Sequence, residues 1–396
     1  MEKKMQKSLA VSLLALALTF TAVSAKAEET KGSASFWDKT KVTGQFNSSY
    51  NWNFNNPICP AGICPGVNAT RVFDTRHDSF DFNLAEVALE TQANDWAKFR
   101  LDLDFGQDVP LVTGAYAAPG AAALTSGMFG VQQAYVDLTA PVGKGLTFRL
   151  GHFVTQLGYE VIESAYNWNT SRSLLFGFAI PFTHTGILAT YPFSDKFSAS
   201  LGIVNGWDVV VDNNKGKTFL TQFVYKPMDK LTLSLQGTVG PEQAPAPAPA
   251  PSSAAANSNM RGIVDFVATW NATDQLTLGF NYDFGKERGV GGTGIPNWQG
   301  GALYAHYKPF DFVGLTVRGE IFNDDGSRIA APAIPAVPAG TTYAEGTGTL
   351  HLYLADGWET RFEFRHDQAD NPVFTRSTGL ARHFQDTVSS EVVYSF

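Results

Sequence analysis

The feature that most constrains this chain is a two-residue alternation of apolar and polar side chains, repeated in segment after segment. Phe99, Leu101, Leu103 and Phe105 alternate with Lys98, Arg100, Asp102 and Asp104; Trp358, Phe362 and Phe364 alternate with Glu359, Arg361, Glu363 and Arg365. Earlier in the chain, Val42, Phe46, Tyr50 and Trp52 oppose Lys41, Thr43, Gln45, Asn47 and Asn51. A helix would scatter these charges around its circumference, whereas a strand sends successive side chains to opposite faces. Strands are expected at 41–54, 79–91, 97–106, 129–139, 145–153, 183–192, 196–204 and 216–226. The second half adds 230–239, 260–271, 275–285, 298–308, 313–322, 343–355, 358–366 and 382–396. The result is about sixteen strands, an even number, each near the roughly 9–11 residues that cross a bilayer at a tilt. The alternation slips phase near Ala85, where Phe80, Phe82 and Leu84 give way to Val87 and Leu89, which predicts a β-bulge.

The connections carry as much information as the strands. Short ones bear an Asp turn signal, as in Asn94-Asp95, Ser194-Asp195-Lys196, Met228-Asp229-Lys230, Thr273-Asp274-Gln275 and Asp356-Gly357. Asp suits a tight turn because its carboxylate bonds the nearby backbone. These alternate with long connections at 55–78, 107–128, 154–182, 205–215, 240–259, 286–297, 323–342 and 367–381. Short turns on one side and long loops on the other are the arrangement of an outer-membrane barrel, periplasm against exterior. The fold expected is therefore all-β: a transmembrane antiparallel up-and-down β-barrel of about sixteen strands over 41–396. Pro-Ala tracts near 243–251 and 330–340 read as extended surface loops without a core.

Composition fits one barrel better than the two or more domains that 396 residues would suggest in a soluble protein. Charged residues make up 17%, below the quarter typical of soluble domains, as expected when one face of every strand meets lipid. The net charge of −8 lacks the basic footprint of a nucleic-acid binder, and no nucleic-acid partner is expected. Residues 1–27 read as a cleaved signal peptide: Lys3, Lys4 and Lys7 precede an apolar run from Leu9 to Val23, then Ala25-Lys26-Ala27. Residues 28–40 follow as a periplasmic lead. Cleavage after Ala27 removes four Lys and one Glu, leaving 25 basic and 36 acidic residues, a net charge of −11. The chain ends in Phe396, with Tyr394, Val392 and Val388 at alternating positions before it. An aromatic end of this kind resembles the terminal strand that barrel-assembly machinery reads.

Because lipid-facing charge at the membrane midplane costs about 2–4 kcal/mol, the charged members of these strands are expected to point inward. The inward bases are Lys41, Lys98, Arg100, Arg149, Arg261, Arg318, Arg361 and Arg365. The inward acids are Glu86, Glu90, Asp102, Asp104, Asp137, Asp265, Asp283, Glu320, Glu359, Glu363 and Glu391. About eight strands fill their interior with side chains, whereas 16–18 leave an aqueous channel, so a wet lumen is expected. The connection 154–182 differs from the other long loops: it carries Glu160, Glu163, Trp168, Arg172 and the apolar Leu174-Leu175-Phe176. Such apolar content calls for burial. The loop is expected to fold inward, narrow the lumen and set Glu160 and Glu163 opposite wall arginines such as Arg318 and Arg361. Fixed charge at a constriction is how pores choose ions.

Chemistry of other kinds finds little support in the sequence. No G-x-S-x-G, H-E-x-x-H or phosphate-binding Gly loop is present. Histidines are scattered, and His366-Asp367 with His383 would be the seed of a rim hydrolase of phospholipase or protease type, the enzyme alternative. A non-conducting receptor or adhesin barrel using the Pro-Ala loops is the other alternative. Cys59 and Cys64 lie five apart in the first long loop and are expected to pair as a disulfide in an oxidising compartment. Neither a metal site nor a cofactor is expected.

The segments Arg149-Leu150-Gly151-His152-Phe153, Gly158-Tyr159-Glu160, Pro181-Phe182-Thr183-His184-Thr185-Gly186 and Val204-Asn205-Gly206-Trp207-Asp208 resemble the OmpL-like outer-membrane β-barrel porin family. The remaining strands fit that family in pattern. The resemblance implies a diffusion porin of a Gram-negative outer membrane, passing ions and small hydrophilic solutes without making or breaking a bond. Expected partners are outer-membrane lipid and lipopolysaccharide, the assembly machinery through Phe396, and further copies of the chain, with a homotrimer as one candidate. The Pro-Ala loops and the Cys59/Cys64 pair are not features of that resemblance.

Overall fold

The strand-forming alternation produces eighteen β-segments in a computed structural model that describes residues 35–57, 66–113, 128–243, 253–289, 295–326, 328–329 and 338–396. The first eight are β1 (Thr40–Asn53), β2 (Ser79–Asn94), β3 (Ala97–Phe105), β4 (Phe129–Ala140), β5 (Leu146–Val154), β6 (Thr183–Pro192), β7 (Phe197–Val204) and β8 (Thr218–Met228). Then come β9 (Leu231–Pro241), β10 (Met260–Asn271), β11 (Leu276–Glu287), β12 (Asn297–Phe310), β13 (Val313–Asp324), β14 (Thr341–Ala355) and β15 (Trp358–Ala369). A small hairpin, β16 (Phe374–Thr375) with β17 (Ala381–Arg382), sits in the last long loop before β18 (Phe384–Ser395). Strands β1–β15 and β18 close into one antiparallel barrel, each paired with its sequence neighbour and β1 paired with β18. Closure leaves no edge unpaired in the barrel itself, as a bilayer demands. No helix among the described residues is long and apolar enough to cross a membrane, which says nothing against crossing by strands.

The chain divides into two units, 1–39 and 40–396. In the first, the described part is a single 3-10 turn at Trp37–Lys39, with the Ser35 amide donating to Asp38 Oδ2 at 2.8 Å. The second is the barrel. Its strand ends fall within four residues of the sequence expectation, and short turns alternate with long loops around the ring. In the two-residue turn between β14 and β15, Gly357 takes a φ of 77°, and a Cβ there would lie 2.1 Å from the Ser395 carbonyl oxygen. Phe396 extends the closing ladder through reciprocal backbone bonds with Gly44 at 3.0 and 3.1 Å.

Period 2 sorts the side chains as expected. Along β13, Leu315, Val317 and Ile321 face outward and are exposed, while Thr316, Arg318, Glu320 and Phe322 face inward and are buried. The predicted bulge lies in β2: pairing passes from Asn47↔Leu84 to Ser48↔Phe82, so Asn83 has no partner across the ladder. Leu84 is thereby turned inward, not to the lipid side with Phe80 and Phe82. A second bulge skips Gln132 in β4 and points both Gln132 and Gln133 inside.

The largest buried apolar cluster lies inside the barrel. It joins Leu157, Ile162, Leu174, Leu175, Phe176, Ala179, Ile180 and Phe182 of the third long loop to wall residues Leu84, Ile263, Trp298, Tyr304, Phe322 and Tyr343. Loop residues Phe73, Val109, Val112, Trp207 and Phe374 cover it; Val109 and Val112 belong to the one-turn helix α1 (Val109–Val112). The apolar content of 154–182 thus finds its burial within the lumen rather than on the exterior. Cys59 and Cys64 lie outside the described residues.

Candidate functional site

A loop without regular secondary structure exposes its backbone N–H groups, and one folded into a barrel must find acceptors there. The barrel wall supplies carboxylates for this purpose. Glu363 accepts from the Thr170 and Ser171 amides at 2.8 and 2.9 Å, Glu320 from Leu174 and Leu175 at 2.7 Å each, and Asp265 from Gly158 at 2.9 Å. Side-chain amides on β11 and β1 add two more bonds: Asn281 Oδ1 accepts from Tyr159 N, and Gln45 Oε1 from Ala165 N. The loop is therefore tied to β10, β11, β13, β15 and β1. These strands form one unbroken arc of the ring, from β10 round to β1, so the loop leaves β5 and packs against the opposite half of the wall.

Arginines complete the clamp. Arg318, 2% exposed, donates through Nη1 to Glu160 Oε1 and to the Ser171 carbonyl, both at 2.7 Å, and through Nε to Glu345 Oε1 at 2.6 Å. Arg365 reaches the Arg172 carbonyl at 2.6 Å and Asp367 at 2.8 Å. Arg361 bonds the Ser164 carbonyl at 2.9 Å, and Ser164 Oγ donates to Glu391 at 2.6 Å. Arg172 turns back on its own loop, donating to the carbonyls of Val161, Ile162 and Thr170. Arg71, from the first long loop, bridges Asp74 at 2.7 Å and Asp367 at 2.5 Å. The planar fork of Arg suits this work, since one guanidinium can hold a carboxylate and a carbonyl together.

Glycines on the wall make room for the loop. A Cβ on Gly279 would fall 2.4 Å from the ring of Tyr159, which stacks on Tyr304 with centroids 4.4 Å apart. Gly285 lies directly opposite Trp298, and a Cβ there would meet the indole at 2.1 Å. The indole N–H in turn donates to the Ala179 carbonyl of the loop at 3.1 Å.

The charges predicted to line the lumen divide into two groups. Arg318, Arg361, Glu363 and Arg365 are 1–5% exposed beneath the loop, so they anchor it and do not face open water. Glu160 belongs with them: Oε1 takes Arg318 and Oε2 accepts from Ser173 N at 2.7 Å. Lys98, Arg100 and Arg149, on β3 and β5, keep side chains 29% exposed. Each is paired: Lys98 with Glu90 at 3.1 Å, Arg100 with Asp102 at 2.9 Å, Arg149 with Asp137 at 2.9 and 3.0 Å. The Arg149 guanidinium also lies 3.9 Å from the centre of the Tyr135 ring.

Glu163 stands apart from the other loop acids. It is half-buried at the inner tip, within electrostatic reach of Glu86, Asp104, Asp102 and Arg100 on β2 and β3. Burial pushes its carboxyl above the usual range and Asp102 adds to the rise, while Arg100 opposes it. Tyr166, three residues on, is 67% exposed and shares Glu86, Asp102 and Arg100 as neighbours. A 250 Å³ cleft beside the loop is bounded by Tyr159, Glu160, Tyr166, Trp168, Thr269 and Tyr304. Sequence reading missed Arg71, Tyr166 and the two glycines; only the exposed aromatic in an otherwise buried loop has a signal, and it needs the loop path to be read.

The rim histidines do not assemble a site with Asp367. His366 faces outward and pairs with Asp386 at 2.7 Å, whereas Asp367 faces inward against Arg71 and Arg365. His383 bonds the Ala369 carbonyl at 3.1 Å. Adjacent residues of a strand point to opposite faces, so His366 and Asp367 cannot share a cleft.

Residues 39–396 match the family described as "Putative beta-barrel porin-2, OmpL-like". The chain belongs to the OmpL-like β-barrel porin family. No curated protein sequence matches it. Among solved structures, the anion-selective porin from Comamonas acidovorans is similar at 12% identity and a TM-score of 0.57, covering 90% of this chain and 99% of that one. The outer membrane channel DcaP of Acinetobacter baumannii matches at 11% identity and 0.56, over 90% and 97%. Salmonella typhi OmpF, in a complex with daunomycin, matches at 12% and 0.56, over 90% and 97%. At such identities the likeness is one of fold.

Proposed function

We propose that this OmpL-like barrel is a diffusion porin of the Gram-negative outer membrane, passing ions and small hydrophilic solutes through a lumen narrowed by loop 154–182. The observation that carries this reading is the loop itself, held across a closed sixteen-strand barrel by Glu320, Glu363, Asp265 and Arg318. The passage runs past the loop tip, with Glu163 and Tyr166 on one side and Glu86, Lys98, Arg100 and Arg149 on the wall. Selection there is by size and by the field of these charges. No bond is made or broken in this mechanism. Residues 1–27 serve as the export signal and 28–40 as a periplasmic lead, so protein taken from outer membranes has the intact mass of a chain starting at Glu28; retention of residue 1 contradicts that assignment. The assembly is a homotrimer in this proposal, by analogy with the trimer form named for a Vibrio cholerae OmpT structure of 10% identity. Phe396 is the residue presented to the assembly machinery.

Ion selectivity tests the reading through Glu163. Burial raises its pKa, so the carboxyl ionises at a higher pH than an ordinary carboxyl does. Reversal potentials of the reconstituted protein under a salt gradient are therefore expected to shift toward cations as pH is raised from 5 to 9. Glu163→Gln should lose part of that shift. Asp108, at the start of α1 and pushed up by burial to about 7, contributes as well. A barrel that carries no current, or a Glu163→Gln profile that overlays the parent, contradicts the proposal.

A further inference from the structure

Outside the lumen, the barrel wall carries a groove of 1190 Å³ across β6 to β11. Its floor is made of small outward positions, Ala189, Thr221, Gly237 and Gly262, and its walls include Ile203, Phe219, Leu235, Val264 and Phe284. A barrel that meets only bulk lipid has no need of a recess; two glycines on the neighbouring strands β9 and β10, with the small Ala189 on β6 and Thr221 on β8, create one. From β7 to β11 its lining falls in the strand halves nearest the long loops, the side that becomes the outer leaflet. Two cations stand at that end of the groove. Lys217 and Lys286 both line it and both are exposed. The Lys286 ammonium lies 5.1 Å from the Phe284 ring, and Lys217 pairs with Asp212. Apolar depth toward the membrane centre, with lysines at headgroup height, is the charge and polarity profile of a phosphorylated acyl lipid.

We propose that this groove is a binding site for a multi-acyl, phosphorylated lipid of the outer leaflet, whose chains lie on Ala189, Thr221, Gly237 and Gly262 and whose phosphate meets Lys217 and Lys286. A second copy related by a twofold axis fits less well, because contact through this face would set the lysines against their own counterparts and leave two recesses facing each other.

The test is native mass spectrometry of the full-length barrel in detergent, titrated with lipid A and, separately, with its dephosphorylated form. The parent is expected to retain lipid A at least tenfold better than the dephosphorylated form. Lys217→Gln/Lys286→Gln should reduce that preference to near parity. Gly262→Leu, where an added Cβ makes only ordinary contacts at 3.6 Å and beyond, should weaken both lipids alike. Phosphate-independent retention in the parent, or variants that bind as the parent does, overturns the proposal. So does a loss of oligomer with Gly262→Leu while lipid binding persists, which would assign the face to a second copy. Single-channel conductance of each variant should equal the parent's, and a changed conductance would mean that the substitution perturbed the barrel rather than the groove.

Discussion

Arg318→Ala is expected to release the polar half of loop 154–182 and to give larger, noisier single-channel currents. Arg318 is the one side chain that holds Glu160, the Ser171 carbonyl and Glu345 at once. Removing it leaves Glu160 buried without its cation and Glu345 with only Arg365, at 3.7 Å, and breaking a buried pair in this way costs about 3–5 kcal/mol. Since every 1.4 kcal/mol is tenfold, the population of undocked loop should rise by roughly two to three orders of magnitude. Limited proteolysis between 158 and 173 should rise with it. Arg318→Lys should rescue poorly, because a single ammonium cannot reproduce the fork that spans carboxylate and carbonyl. A variant with parent-like conductance and protease resistance would show that the clamp does not position the loop.

Trp298→Ala addresses the apolar half. The indole is fully buried, lies flat on Gly285, donates to Ala179 and meets Trp207 edge-on at 6.3 Å. Truncation leaves a cavity at the centre of the cluster that seats Leu174–Phe182, and large-to-small changes of this size cost about 3–5 kcal/mol. The barrel ladder itself is untouched, so the strand content should persist while the loop becomes mobile. The expected result is a lower denaturation midpoint together with increased amide exchange at Leu175–Ala179. Gating without loss of strand signal supports the account; global loss of the barrel on this single change would place Trp298 in the wall's own stability.

The two substitutions also separate what was legible in the sequence from what was not. Alternation in segments such as Phe99–Phe105 and Trp358–Arg365 specified strand faces because period 2 is a local property. The phase slip near Ala85 marked a real bulge, although its consequence was to turn Leu84 inward. The inward fold of 154–182 was legible from Leu174-Leu175-Phe176, which need burial wherever the loop runs. Pairings such as Arg318 with Glu160 were named only in outline, because 158 residues separate the partners and alternation gives a face without a height along the barrel axis. Inward-facing charge is therefore a poor guide to selectivity here: Arg318, Arg361, Glu320 and Glu363 are spent on the loop. Gly279 and Gly285 were silent for a different reason, since a seat for an aromatic ring looks like any other glycine until the ring is in place. The pairing of His366 with Asp367 needed only the rule already in use, that neighbours in a strand face opposite ways.

The most direct test of the central claim is the single-channel conductance of the purified, refolded barrel in a planar bilayer, recorded for the parent and for Arg318→Ala. A water-filled lumen narrowed by a pinned loop predicts stepwise, ohmic currents of ionic size in the parent and larger steps in the variant. If the barrel is folded and inserted yet neither protein carries current, the lumen is closed and the account is wrong.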